Sequence, residues 1–177
     1  FKEKEIEVEN LETFDFSKSK ITFFSAGSKI SEKYALKAAK HSTVIDNSSY
    51  FRMDPDVPLI VPEVNFNDLK NHKKKNIIAN ANCSVIPLVV ALKPLHDLYN
   101  IKRIVASTYQ SVSGAGKAPM DELLSQTKDF FENKNLSSSY FTKQIAFNAI
   151  PHIDSFCPAY QHQHGSQQMP DNRIHTN

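Results

Sequence analysis

"SKITFFSAGSKISEKYALKAAKHSTVIDNSS", residues 19–49, sets two short apolar runs on either side of one helical stretch. The first run, "ITFF", leads into the small residues "SAGS", the composition of a buried strand that turns into a helix. Ser28 or Ser31 is the expected helix start. "STVIDNSS" then reads as a second short strand ending in polar residues. A strand, a helical crossover and a strand again is the unit from which parallel sheets are built.

Working outward, the same alternation continues. "PDVPLIVPEVN" (55–65) is rich in proline, so it is expected to be extended, with a brief strand at Leu59 to Val61. A short helix around Asn67 to His72 precedes the strand "NIIAN" (76–80). Upstream, "KEIEVEN" (4–10) alternates Ile6 and Val8 with charges, the pattern of a half-buried strand. The fold class is therefore α/β.

Composition bounds what such a chain can do. At 177 residues, 40% hydrophobic with twelve Phe, it is a globular protein with one sizeable core or one domain and part of another. A net charge of +2 with dispersed Lys and Arg gives no reason to invoke nucleic acid, and "HKKKN" (72–76) reads as a solvated helix end or loop. No apolar stretch has the length of a membrane span, and "FKEKEIEVEN" is not a signal peptide. Two cysteines, Cys83 and Cys157, do not make a disulfide framework, so a reducing, cytoplasmic compartment is expected. The chain opens on Phe1 rather than Met, which points to a missing N-terminal part.

Beyond Asn80 the character changes. "NANCSVIPLVVALKPLH" places Cys83 just ahead of Val85, Ile86, Val89, Val90, Leu92 and Leu95, a helix capped by Asn82 or Ser84. Pro94 is expected to kink it. In such a first turn, free N–H groups favour a thiolate and can hold an oxyanion or a phosphate. A small hydrophobe in a tight junction is the other reading of Cys83. "IKRIVASTYQSVSG" (101–114) is strongly β-rich, and "QIAFNAIP" (144–151) reads as one more strand. Between them, Met120, Leu123, Leu124, Thr127, Phe130 and Phe131 recur at helical spacing, an amphipathic helix. The expected organisation is a nucleotide-binding layer over residues 1–80, an α+β unit over 81–156 and a polar, disordered tail over 157–177.

Several positions carry chemistry. "FSAGS" (24–28) lets backbone approach a phosphate or ribose, or is plain turn chemistry. "SVSGAG" (111–116) is open to the same two readings. Arg52 suits bidentate binding of phosphate or carboxylate, or a surface ion pair with Asp54 or Asp56. Gln110, an uncharged amide in a strand-like run, needs a partner if buried, either a structural one or a substrate carbonyl or thiol. His162, His164 and His175 with Cys157 fit no zinc spacing, so no metal site is expected.

Taken in order, "FFSAGS", "VIDNSSYFRMDPDVPLIVPEVN", "NIIANANCSVIPLVVALKPLHDLYNIKRIVASTYQSVSGAGK" and "AFNAIPHIDSF" resemble aspartate-semialdehyde dehydrogenase, over about Ile21 to Phe156. The resemblance implies an incomplete Rossmann-like parallel layer followed by part of a catalytic and dimerisation domain. It also implies reduction of β-aspartyl phosphate with NADPH to aspartate semialdehyde and phosphate, on the route to lysine, threonine and methionine. Cys83 then stands at the position of the nucleophile that forms a thioester, and Gln110 at that of the substrate-orienting glutamine. Arg52 matches the phosphate-binding arginine, with Asn82 beside it. Ser25, Ala26, Gly27, Asn47, Ser113 and Gly114 match stretches lining NADP. The implied partners are a small-molecule substrate and, by family, a second copy in a homodimer.

The departures are as specific. The family's glycine-rich turn, its substrate-binding arginine in an "RVPV"-like segment and the acid/base histidine that follows are not found here. His152 matches a family segment but not the catalytic one. Ala81 replaces the proline of "NPNC", and Ser28 replaces a second glycine. Little activity of the isolated chain is therefore expected. The alternatives are a non-catalytic remnant of the same enzyme and the related N-acetylglutamyl-phosphate reductase, which "ASTYQSVSGAG" disfavours.

Overall fold

The computed structural model describes residues 3–151. The first strand, Ile21–Phe24 (β1), passes through Gly27 into the helix Ser28–Ala39 (α1). Gly27 has φ +92° and open space where a Cβ would stand, so glycine is needed for the backbone rather than for room. Thr43–Asp46 (β2) lies parallel to β1, with Ile21 opposite Thr43 and Phe24 opposite Asp46. The proline-rich stretch contributes only Leu59–Ile60 (β3) and Pro62–Asn65 (α2), which a 3-10 helix Phe66–Lys74 extends. Ile77–Asn80 (β4) inserts between β2 and β3, giving a parallel sheet of order β1-β2-β4-β3. The parallel α/β layer expected from the sequence is present.

Small residues set the distance between α1 and the sheet. Ala35 and Ala38 are fully buried, as are Val44 of β2 and Ile77 and Ala79 of β4. Burying side chains such as Val44 and Ile77 contributes roughly 1.5–3 kcal/mol each. Phe16 stacks on Phe24 with ring centroids 6.4 Å apart and closes one end of this core. Asn76, at φ 56°, fastens the other end of α1. Its Nδ2 donates to the carbonyls of Ala39 (3.0 Å) and Ser42 (2.8 Å), and its Oδ1 accepts from Thr43 (3.0 Å).

Val85–Tyr99 (α3) runs continuously through Pro94 and packs Ile86, Val89 and Val90 against the core. Contacts divide the chain between Ile104 and Val105, so α3 belongs to the first unit. In the second unit the amphipathic stretch forms the helix Lys117–Phe131 (α4). Among the described residues, no helix is long and apolar enough to cross a membrane.

Four expectations are corrected. Residues 4–10 form no strand, and Val8 is 91% exposed, because no neighbouring strand offers a ladder to this half-apolar pattern. Residues 101–110 form none either and are largely exposed. "QIAFNAIP" is a turn rather than a strand, with Phe147 at φ 58°. Finally, α4 buries Pro119, Glu122 and Gln126, while Met120, Leu124, Phe130 and Phe131 of the expected apolar stripe are exposed. Polar capture of the following loop outcompetes the stripe. Glu122 accepts from the N–H groups of Ser139, Tyr140 and Phe141, and Gln126 Oε1 accepts from those of Ile145 and Ala146. The residues from His152 onward, including the expected disordered tail, Cys157, His162, His164 and His175, lie outside the described residues.

Candidate active site

In the first unit the candidate residues gather at the carboxyl ends of the parallel strands, where open α/β sheets bind ligands. Ser25 follows β1, Asn47 follows β2, and Asn80 ends β4. Hydrogen bonds connect all three. Asn80 Nδ2 donates to Asn47 Oδ1 (2.8 Å), and Asn47 Nδ2 donates to Ser25 Oγ (3.4 Å).

Arg52 joins the same cluster. Its Nε donates to the Asn80 carbonyl (2.9 Å) and its Nη2 to the Asn47 carbonyl (3.4 Å). Asp54 and Asp56 pair instead with Lys75 and Lys74. Two backbone carbonyls thus hold the guanidinium at the strand ends, using two of its five N–H donors. The loop between Asn47 and Arg52 is built on Asp46. This buried carboxylate accepts from Ser31 Oγ of α1 (2.7 Å) and from the N–H (3.0 Å) and Oγ (2.9 Å) of Ser48.

Cys83 is exposed, so its reading as core filler is set aside. It lies inside the turn that opens α3. Asn82 Oδ1 accepts from the Ser84 N–H (2.8 Å), and the Asn82 carbonyl accepts from Val85 and Ile86 (3.0 Å each). Asn82 thus fixes the backbone on either side of the thiol.

The loop after β1 is open at its turn and at the start of α1. Gly27 leaves the turn without a side chain, no side chain caps α1, and Ser28 Oγ is tied to Ser49 Oγ (2.9 Å). Uncapped N–H groups at a helix start suit a phosphate. A groove of about 470 Å³ opens beside Ser25 and Ala26, walled by Phe14, Phe16 and Phe24.

Gln110, Ser113 and Gly114 belong to the second unit. Gln110 is exposed and outside any strand. Its side chain lies over Gly114, with Nε2 2.8 Å from the position a Cβ there would take. Ser113 Oγ bonds Ser111 Oγ (3.0 Å), and the Gly114 N–H bonds the Ser111 carbonyl (3.0 Å), which shapes the loop beneath. Sequence reasoning missed Asn80 and Asp46. Their signal was position, each being the last residue of a strand.

Comparison with known proteins decides the family. The model described as "Semialdehyde dehydrogenase, NAD binding domain" matches residues 1–72, and "Semialdehyde dehydrogenase, dimerisation domain" matches 92–174. The chain belongs to the semialdehyde dehydrogenase family. Aspartate-semialdehyde dehydrogenase of Rickettsia bellii is 53% identical over 154 residues, 86% of this chain and 46% of that protein. Its counterpart in Aquifex aeolicus is 55% identical over 159 residues, 88% of this chain and 47% of that one. Among solved structures, aspartate semialdehyde dehydrogenase II of Vibrio cholerae complexed with ASA superposes with a TM-score of 0.82 at 49% identity, covering 85% of this chain and 45% of that one. A probable aspartate-semialdehyde dehydrogenase from Pseudomonas aeruginosa gives 0.72 at 25%, covering 90% and 48%. This family member spans about half the length of the curated relatives it matches.

Proposed function

We propose that the chain carries the thiol half of an NADP-dependent aspartate-semialdehyde dehydrogenase. The carrying observation is an exposed Cys83 in the turn after β4, whose last residue also holds Arg52. In this reading residues 1–80 are part of the NADP-binding layer and 81–156 part of the catalytic and dimerisation domain. Arg52 and Asn82 receive the phosphate end of L-aspartyl-4-phosphate, and Gln110 orients its acyl group. The Cys83 thiolate attacks the acyl carbon, the carbon–oxygen bond to phosphate breaks, and phosphate leaves with the electron pair. Ser25, Ala26, Gly27, Asn47, Ser113 and Gly114 bind the dinucleotide, which when bound supplies hydride to the thioester carbon. Collapse of the hemithioacetal on Cys83 releases the aldehyde and restores the thiolate. The product serves lysine, threonine and methionine synthesis in the cytoplasm, and the complete enzyme is a homodimer.

The matched relatives are about twice as long, so the 177-residue chain alone is expected to acylate but not to turn over. Intact-mass analysis after incubation with aspartyl phosphate tests the reading. One β-aspartyl group should appear on the wild-type chain and none on Cys83→Ser, with acylation slowed in Arg52→Ala. Equal labelling of wild type and Cys83→Ser, or none on either, rejects it.

A further inference from the structure

We propose that Asn80 is a positioning residue that sets the hydrogen-bonding polarity of the dinucleotide site through Asn47 and Ser25. This rests on the reading that Ser25 and Asn47 line that site. Asn80, Asn47 and Ser25 stand at the carboxyl ends of β4, β2 and β1, and the bonds between them run in one direction. Because Asn80 Nδ2 donates to Asn47 Oδ1 (2.8 Å), the Asn47 carboxamide turns its own Nδ2 toward Ser25 Oγ (3.4 Å). A hydroxyl that accepts such a bond keeps its proton for another partner. Ser25 therefore presents a donor beside the Gly27 turn, suited to the acceptor oxygens of phosphate, ribose or carboxamide.

Without the Asn80 side chain the Asn47 amide is free to rotate and present its carbonyl instead. Ser25 then spends its proton inward and offers an acceptor to a ligand that is itself rich in acceptors. The Asn80 carbonyl meanwhile accepts from Arg52 Nε (2.9 Å), so a side-chain substitution alters the dinucleotide side and leaves that backbone bond in place.

The test titrates the 177-residue chain with NADP⁺ and NADPH by calorimetry, with melting curves alongside. Asn80→Ala should weaken binding about 3- to 10-fold, the scale of one net hydrogen bond. Its melting temperature should stay near wild type, because the bonded pair is exposed. Ser25→Ala should weaken binding similarly, and the double variant should bind no worse than Ser25→Ala alone. Unchanged affinity in Asn80→Ala, or additive losses in the double variant, overturns the proposal. If the wild-type chain takes up no dinucleotide, the cofactor reading fails instead. The relay is then read from the Asn47 side-chain amide resonances, which must shift in Asn80→Ala; unshifted resonances overturn it.

Discussion

The carboxamide of Gln110 lies across the bare Cα of Gly114, with Nε2 2.8 Å and Cδ and Cγ each 3.4 Å from where a Cβ would sit. Gly114 therefore acts as a seat for Gln110. A Cβ at Gly114 would displace only the end of an exposed side chain, in contrast to Gly27, where glycine is needed for backbone.

That contrast fixes the sign of a double-mutant cycle. Gly114→Ala should shift stability by no more than about 0.5 kcal/mol, because the Gln110 amide that it displaces is the end of an exposed, flexible side chain. In a Gln110→Ala background the clash is gone, and the same change should become neutral or stabilise by about 0.4–1 kcal/mol through the unfolded chain. Chemical denaturation of the four proteins measures it. Equal costs in both backgrounds would remove the seat from the argument.

Gly27→Ala should destabilise by about 1 kcal/mol whatever its surroundings, since the cost is a Cβ at φ +92°. Dinucleotide affinity should fall with it, because the turn after β1 must leave its φ of +92° to take a side chain. A variant as stable as wild type would mean that the turn relaxes freely.

Glu122 makes the second unit sensitive to acid. Burial pushes its carboxyl up, but the N–H groups of Tyr140, Ser139 and Phe141 and the Ser139 hydroxyl outweigh burial and hold it below the usual glutamate range. The unfolded chain then binds the extra proton, so this stabilisation is complete above the usual glutamate value. It is lost as pH falls through the lower folded one. Melting of wild type should steepen toward acid over that range. Glu122→Gln should be less stable at pH 7 and should lose that dependence. Parallel pH profiles for the two proteins would contradict the assignment.

Asp46 is the hub of the loop that carries Asn47 and Arg52. Asp46→Ala strands the Ser31 hydroxyl and the Ser48 N–H in a buried setting and should cost about 2–3 kcal/mol. Asp46→Asn, which keeps one acceptor oxygen, should recover part of it. Urea denaturation of the three proteins decides, and an Asp46→Ala loss under about 0.5 kcal/mol would mean that the loop is held by other means.

Some of this was legible from residues alone. "ITFFSAGS", "STVID" and "NIIAN" combine apolar runs with small or polar ends, and each pairs with a parallel neighbour, although β1 leaves Ile21 and Phe23 exposed rather than buried as expected. The helix after "NANCS" was legible as well, with Ser84 at its N-cap only a few residues from the strand. "KEIEVEN", "IKRIVASTYQ" and "QIAFNAIP" have strand composition without strand structure. β-propensity expresses fitness for a ladder, and a ladder needs a partner that no stretch carries within itself.

By itself, then, the sequence determined the order of strand and helix in the first unit, the turn glycine and the position of Cys83. Those depend on neighbours a few residues apart. Tertiary structure alone decided that Cys83 is exposed, that the carbonyls of Asn47 and Asn80 hold Arg52, and that α4 buries Glu122 and Gln126. Each of these is settled by which distant group satisfies a polar atom, such as Asn80 reaching Arg52 across 28 residues of chain.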